Sequence, residues 1–238
     1  MRALAPSPRI LYLAVPINSI CFNYTISTPK YHHSTPTSQS LKPITTPTTT
    51  TTITMPDSPF PPPALRRAAQ TVSALLLERN ATVSVAETAA GGLISAALLA
   101  LPGASKFYKG GVTLYTLESR LAYAGWTSEL TKSYNGPTPT IVAGLAEHVR
   151  AQLGSTYTIG ESGTAGPGVS GSGATRNRQP GYVALAVSSA DGTYKRDAET
   201  GVVSSGDDGS TLREENMVAF AVLALEFLGE VIEGKAKL

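Results

Sequence analysis

The chain has 238 residues, 42% hydrophobic and 15% charged, with one Cys, three His and a formal charge of +2. A single Cys excludes an intramolecular disulfide framework and a thiolate metal cage, and no run approaches the ~18 apolar residues that span a bilayer. The charge is uneven: residues 1–56 hold Arg2, Arg9, Lys30 and Lys42 and no acid, and removing those four of 19 basic residues leaves 15 against 17 acids. The remainder shows no nucleic-acid footprint, so neither nucleic acid nor a membrane is an expected partner.

In chain order, residues 1–62 form a Pro/Thr-rich leader. The first 63 residues hold 12 of the 17 prolines, and eight of the ten residues from Thr45 to Thr54 are Thr. Such a stretch buries too little apolar surface to offset its ordering entropy, which predicts disorder. Three readings stand side by side. The leader is an organelle transit peptide, a short secretory segment around Ile10–Phe22, or sequence upstream of a true start at Met55. A start at Met55 implies a cytoplasmic protein, and a real leader allows a mitochondrial one.

From Leu65 the apolar residues Ala68, Val72, Leu75 and Leu76 follow helical spacing up to Asn80. Thr82–Ala86 reads as a strand, Gly91-Gly92 opens an apolar helix to about Leu101, and Gly110–Tyr115 reads as a second strand. A short helix over Glu118–Ala124 ends at Gly125, and Pro139 suits the first turn of a helix reaching Leu153. Thr156–Gly160 is a third strand leading into the Ser162–Gly168 loop, and the polar tract up to Pro180 reads as a mobile flap. Tyr182–Ser188 and Arg196–Val203 form two strands around a turn at Asp191-Gly192. Thr211 is placed to cap the last helix, Arg213–Val231. Helices interleaved with about five strands predict a layered α/β domain over residues 63–234.

Three segments have the composition of a site. Val85–Gly92 runs a strand into a turn carrying Thr88 and then into a helix. That places a hydroxyl beside free backbone N–H groups at a positive helix end, where an oxyanion or phosphate is held. The alternative is that Thr88 is an N-cap and Gly91-Gly92 allow close packing. In the second segment Tyr115 ends a strand and Arg120 follows on a helix, either at a site or as a rim residue and a solvated charge. The third, Ser162–Gly168, can form an anion nest from successive N–H groups or be an ordinary glycine turn. Arg176 and Arg178 are further candidates for phosphate. His148 has no His or Cys at ligand spacing and reads as structural.

Together these segments resemble the C-terminal domain of the CinA family, the nicotinamide-nucleotide amidase of pyridine-nucleotide recycling. The resemblance runs from about Leu65 to Leu228. It rests on Ala86-Glu87 with Gly91-Gly92, Pro102–Ser105 followed by Gly111-Val112, and Tyr115 with Glu118. Ser162-Gly163 with Ala165–Pro167, Pro180-Gly181, and Gly206-Asp207 with Arg213 complete it. It implies a three-layer α/β/α domain with a mixed sheet, commonly a homo-oligomer. It also implies hydrolysis of the carboxamide of nicotinamide mononucleotide to acid and ammonia, with no metal or other cofactor in this domain.

The departures fall on the chemistry. The family's nucleophilic serine is Thr88 here, its activating lysine is Arg120, and an asparagine of the same motif is Leu117. Thr88 keeps a hydroxyl, but a guanidinium does not give up its proton near neutral pH and cannot act as a base. Glu87, Glu161, Lys109 and Tyr115 are the substitutes the sequence offers. The expected site has Thr88, Tyr115 and Arg120 in catalysis, with Glu87, Gly91, Gly92, Ser162, Gly163, Ala165 and Gly166 holding a small nucleotide. The expected function is a divergent amidase on nicotinamide mononucleotide, or a catalytically impaired protein that binds a phosphate-bearing ligand.

Overall fold

The computed structural model describes residues 60–167, 175–202 and 210–238. The expectations for residues 1–59, for Gly168 and the first half of the flap, for Val203 and for Gly206-Asp207 lie outside the described residues.

Helix α1 (Pro63–Glu78) starts on Pro63 at its first turn, where the missing N–H costs nothing, and buries Leu65, Ala68, Ala69, Val72 and Leu76. Strand β1 (Val83–Glu87) is buried throughout and leads through Gly91-Gly92 into helix α2 (Leu93–Leu99). Strand β2 (Tyr108–Thr113) alternates half-buried and exposed residues, the pattern of an edge strand with one covered face. Helices α3 (Leu117–Tyr123) and α4 (Ser128–Ser133) start on threonine caps. The Thr116 and Thr127 hydroxyls accept from Ser119 N at 3.2 Å and Leu130 N at 3.3 Å. Helix α5 (Pro139–Leu153) is capped by Thr138 and closed by Gly154 at φ 59. Strands β3 (Tyr157–Gly163), β4 (Tyr182–Ser188) and β5 (Thr193–Glu199) precede the long helix α6 (Ser210–Ile232).

The sheet order is β2-β1-β3-β4-β5, with β2, β1 and β3 parallel and β4 and β5 antiparallel to their neighbours. Period-two alternation assigns its faces. Val83, Val85, Ile159, Val183, Leu185 and Val187 join α1, α2 and α6 in the main core. Tyr182, Ala184 and Ala186 face α5 on the other side, with Val142, Ala143 and Ala146. This is the expected three-layer α/β/α arrangement with a mixed sheet of five strands.

Small residues on the second face let α5 approach closely. A Cβ on Gly160 would overlap the Val142 carbonyl oxygen and sit 3.1 Å from the Ala146 Cβ. The backbone of neither element can yield without moving the helix. Gly160→Ala is therefore expected to lower the unfolding free energy by about 1–3 kcal/mol, read from the urea midpoint at unchanged slope.

Several predicted limits move. Strand β3 continues to Gly163 rather than ending at Gly160, which draws Glu161 and Ser162 into the sheet. Strand β2 stops at Thr113, so Tyr115 lies beyond the strand instead of ending it. Strand β5 begins at Thr193, directly after the Asp191-Gly192 turn, rather than at Arg196. Ser210 already opens α6 among the described residues, so Thr211 lies inside the helix rather than capping it. Helix α4 is an addition that its Thr127 cap and Glu129 in the first turn explain. The second half of the predicted flap is tied down: Arg176 pairs with Asp197 and Glu199 on β5, and the Asn177 amide donates to the carbonyls of Asn135 and Pro137.

Candidate functional site

Strands β1 and β3 are parallel neighbours, and their chains leave in opposite directions along the sheet, β1 through α2 to β2 and β3 to β4. A crevice therefore opens beyond their carboxyl ends, the position where open α/β sheets bind ligands. A cavity of about 520 Å³ occupies it, within the range of small-molecule sites. Thr88 and Ala89 from the β1 turn, Tyr115, Thr116, Leu117 and Arg120 from the start of α3, and the Ser162–Gly166 segment line it, with Tyr134, Arg178 and Arg213 completing the wall.

Of the predicted residues, Thr88, Tyr115, Arg120, Ser162, Gly163, Ala165 and Gly166 are brought together here. Glu87, Gly91 and Gly92 are not, and the correction has a physical cause. The Glu87 side chain is fully buried and turns under the start of α2. There its carboxylate accepts from Ile94 N at 3.0 Å, Ser95 N at 3.1 Å and the Ser95 hydroxyl at 2.5 Å. It holds the helix's own orphan amides; burial raises its pKa, and those hydrogen bonds restrain the rise. Gly91 and Gly92 take φ of 67° and 98°, left-handed values that a side chain would strain, and a Cβ on Gly91 would meet the Met217 side chain at 2.6 Å. They shape the turn and do not touch the cavity.

The turn's donors are already committed. Thr88 N and Ala90 N both donate to Glu161 Oε2, at 2.9 and 3.0 Å. Gly91 N donates to Thr88 O, and Leu93 N to Ala90 O. The predicted oxyanion cradle near Gly91-Gly92 is thus filled by the chain's own carboxylate and backbone. Ala89, on the cavity wall, is the turn residue whose amide has no partner among the described residues. In the third segment, Thr164 N donates to Tyr182 O and is not free for an anion, while the carbonyls of Ala165 and Gly166 accept from Asn216 and Arg213.

Thr88 Oγ1 donates to Ser162 Oγ at 2.8 Å. Among the described residues, neither hydroxyl is hydrogen-bonded to a carboxylate, imidazole or amine. Glu161 is the nearest acid in the chain's bonding pattern. Burial pushes its pKa up to about 7, against the opposing pull of the Ala90 and Thr88 amides; nearby Glu87 adds to the rise and Arg120 opposes it. Its second oxygen, Oε1, is buried without a partner. Lys109 lies on β2 outside the cavity lining.

Arg120 is not the solvated helical charge that its polarity suggests. It is 4% exposed and donates from Nε to the Leu114 carbonyl at 3.2 Å. Its guanidinium lies 5.1 Å from the Trp126 ring centroid and 4.9 Å from that of Tyr134, cation–π contacts that hold the fork in place. Nη1 is buried without a partner. Tyr115, by contrast, is 65% exposed, with its hydroxyl 3.5 Å from Arg213 Nη2.

Sequence reasoning did not place Tyr134, Trp126 or Arg213 at the site. Arg213 carried a signal as part of a family motif. The aromatic pair carried none, because its relation to Arg120 exists only after α3 and α4 fold together. Arg176 and Arg178, taken together in the sequence, separate: Arg178 lines the cavity, whereas Arg176 is bound to β5.

The family model for the CinA C-terminal domain matches residues 65–232. The chain belongs to this family. A CinA-like protein of Parasynechococcus marenigrum is 40% identical over 124 residues, covering 52% of this chain and 29% of that protein. One from Acidobacterium capsulatum is 36% identical over 115 residues, covering 48% and 27%. The chain thus spans under a third of the length of these curated CinA relatives. Among solved structures, the competence/damage inducible protein CihA from Agrobacterium tumefaciens matches with a TM-score of 0.60 at 24% identity, over 72% of this chain and 97% of that one. A CinA superfamily protein from Escherichia coli matches with a TM-score of 0.60 at 18% identity, over 75% and 94%. At these identities the likeness is one of fold.

Proposed function

We propose that this CinA-family chain binds a phosphate-bearing pyridine mononucleotide in the β1–β3 cavity and does not hydrolyse it efficiently. The observation that carries this reading is the state of Thr88. Its hydroxyl proton is directed at Ser162, which has no base behind it among the described residues, and the turn amides that would steady an oxyanion are held by Glu161. Nucleophilic catalysis needs an activated hydroxyl and donors aimed at the developing charge. Arg120, at the family's lysine position, can supply charge but not accept a proton.

The test compares ammonia release from nicotinamide mononucleotide by the parent chain and by Thr88→Ala. Equal, negligible rates are expected, together with a rise in melting temperature when the nucleotide is added, because a ligand bound to the folded state stabilises it. An amidase is the second reading, favoured by the presence of two hydroxyls, Thr88 and Ser162, on the cavity wall. It expects Thr88→Ala to abolish ammonia release and Arg120→Lys to raise it.

A further inference from the structure

The charge of the cavity is one-sided. Arg120, Arg178 and Arg213 line it, and no Asp or Glu does among the described residues. Among the described residues Arg178 and Arg213 have no acid partner either. Their partners there are neutral oxygens: the Asn135 side chain, the Gly166 carbonyl and the Tyr115 hydroxyl. Arg120 is buried and Arg213 half-buried with no acid in hydrogen-bonding reach among the described residues, and an anionic ligand offsets the cost of such burial.

The three cations differ in setting. Arg178 is exposed and Arg213 half-buried at the rim, where a strongly hydrated dianion such as phosphate can be met. Arg120 lies on the buried floor. Its Nε is occupied by Leu114 O, two aromatic rings lie close to its guanidinium, and Nη1 has no partner. What it has left to offer is the in-plane edge of a fixed fork, the geometry that pairs with a planar carboxylate.

We infer that the cavity takes a mononucleotide-sized molecule with two anionic groups, a carboxylate against Arg120 and a phosphate against Arg178 and Arg213. It thereby selects the acid form of a pyridine nucleotide over the amide. This rests on the nucleotide-binding reading above and narrows it. A carboxamide carries no charge and turns an NH2 donor toward an edge that has only donors. Losing a charge-assisted hydrogen bond and leaving a buried donor unmet weakens binding by roughly 10- to 100-fold.

Titration calorimetry on the full-length chain tests this with nicotinic acid mononucleotide and nicotinamide mononucleotide, which differ only in that group. The acid is expected to bind roughly 10- to 100-fold tighter. Arg120→Gln is expected to bring the two affinities together, and Arg178→Gln to weaken both by the same factor. Equal affinities, or a preference for the amide, overturn the inference and leave the nucleotide-binding reading standing. If neither nucleotide binds or raises the melting temperature, both fall. An acid preference that survives Arg120→Gln removes the role given to Arg120. The comparison in the unsubstituted chain decides the proposal even where a variant fails to fold.

Discussion

Between about pH 5 and pH 8 the parent chain is expected to lose on the order of 3 kcal/mol more stability than Glu161→Gln. Glu161 is fully buried, and its pKa stands near 7 in the folded chain against 4.5 for a free side chain. Between those values the folded chain keeps a proton that the unfolded chain has released. The stabilisation is therefore complete below the unfolded value, declines as the pH rises through the window, and is gone above the folded value. Glutamine keeps a carbonyl oxygen able to accept from Thr88 N and Ala90 N, but it carries no charge to bury. Urea midpoints of both chains at a series of pH values read the effect, and the difference between the curves removes the titration of every other group. Parallel curves would mean that Glu161 titrates as an ordinary surface acid, and the account of its burial would be wrong.

The same residue shows how much of the site was legible. Local patterns placed the layers well. Pro139 marks the start of α5, and Tyr182–Ser188 is recovered as β4 because an unbroken apolar run lies between turn residues. The α/β/α order follows from alternation that any central strand imposes. Glu161 is different. Its sequence neighbourhood suggests only a polar residue after a strand, and its partners, Thr88 N and Ala90 N, are more than 70 positions away. Only the parallel pairing of β1 with β3 brings the carboxylate under the turn. Arg120 was legible as a site residue, but its burial was not: on a short helix with exposed neighbours its charge suggests solvent, whereas folding packs it against Trp126 and Tyr134.

The turn and the crevice divide these residues. Gly91, Gly92 and Glu87 serve the turn and the helix start. Positions 88 and 120 face the crevice with a hydrogen-bonded hydroxyl and a fixed cation, and Glu161 lies buried beneath the β1 turn. Arg120 Nη1 and Glu161 Oε1 are the buried side-chain atoms left without partners among the described residues. Of the two, only Arg120 belongs to the cavity wall, where a ligand can complete what the fold leaves unmet.

Asn216→Ala is expected to lower the unfolding free energy by roughly 2–5 kcal/mol and to weaken binding of any phosphate-bearing ligand. Asn216 is fully buried near the start of α6. Its Nδ2 donates to the Ala165 carbonyl at 2.9 Å, and its Oδ1 accepts from the Thr200 hydroxyl at 2.5 Å. It thus fastens two chain segments, the cavity loop and the end of β5, to one helix. Three residues earlier on the same helix, Arg213 reaches the Gly166 carbonyl at 2.7 Å, so the loop is gripped at successive positions. Alanine removes a buried hydrogen bond to Ala165 O and a part-buried one from the Thr200 hydroxyl, and each loss costs about 1–3 kcal/mol, the second at the low end. Arg213→Gln makes the contrast: on a half-buried residue the stability loss is smaller, while the ligand loses a charge directly. Chemical denaturation and calorimetric titration of both variants separate the effects. If Asn216→Ala melts with the parent chain, the loop is held by its own backbone bonds, and α6 does not set the position of the cavity wall.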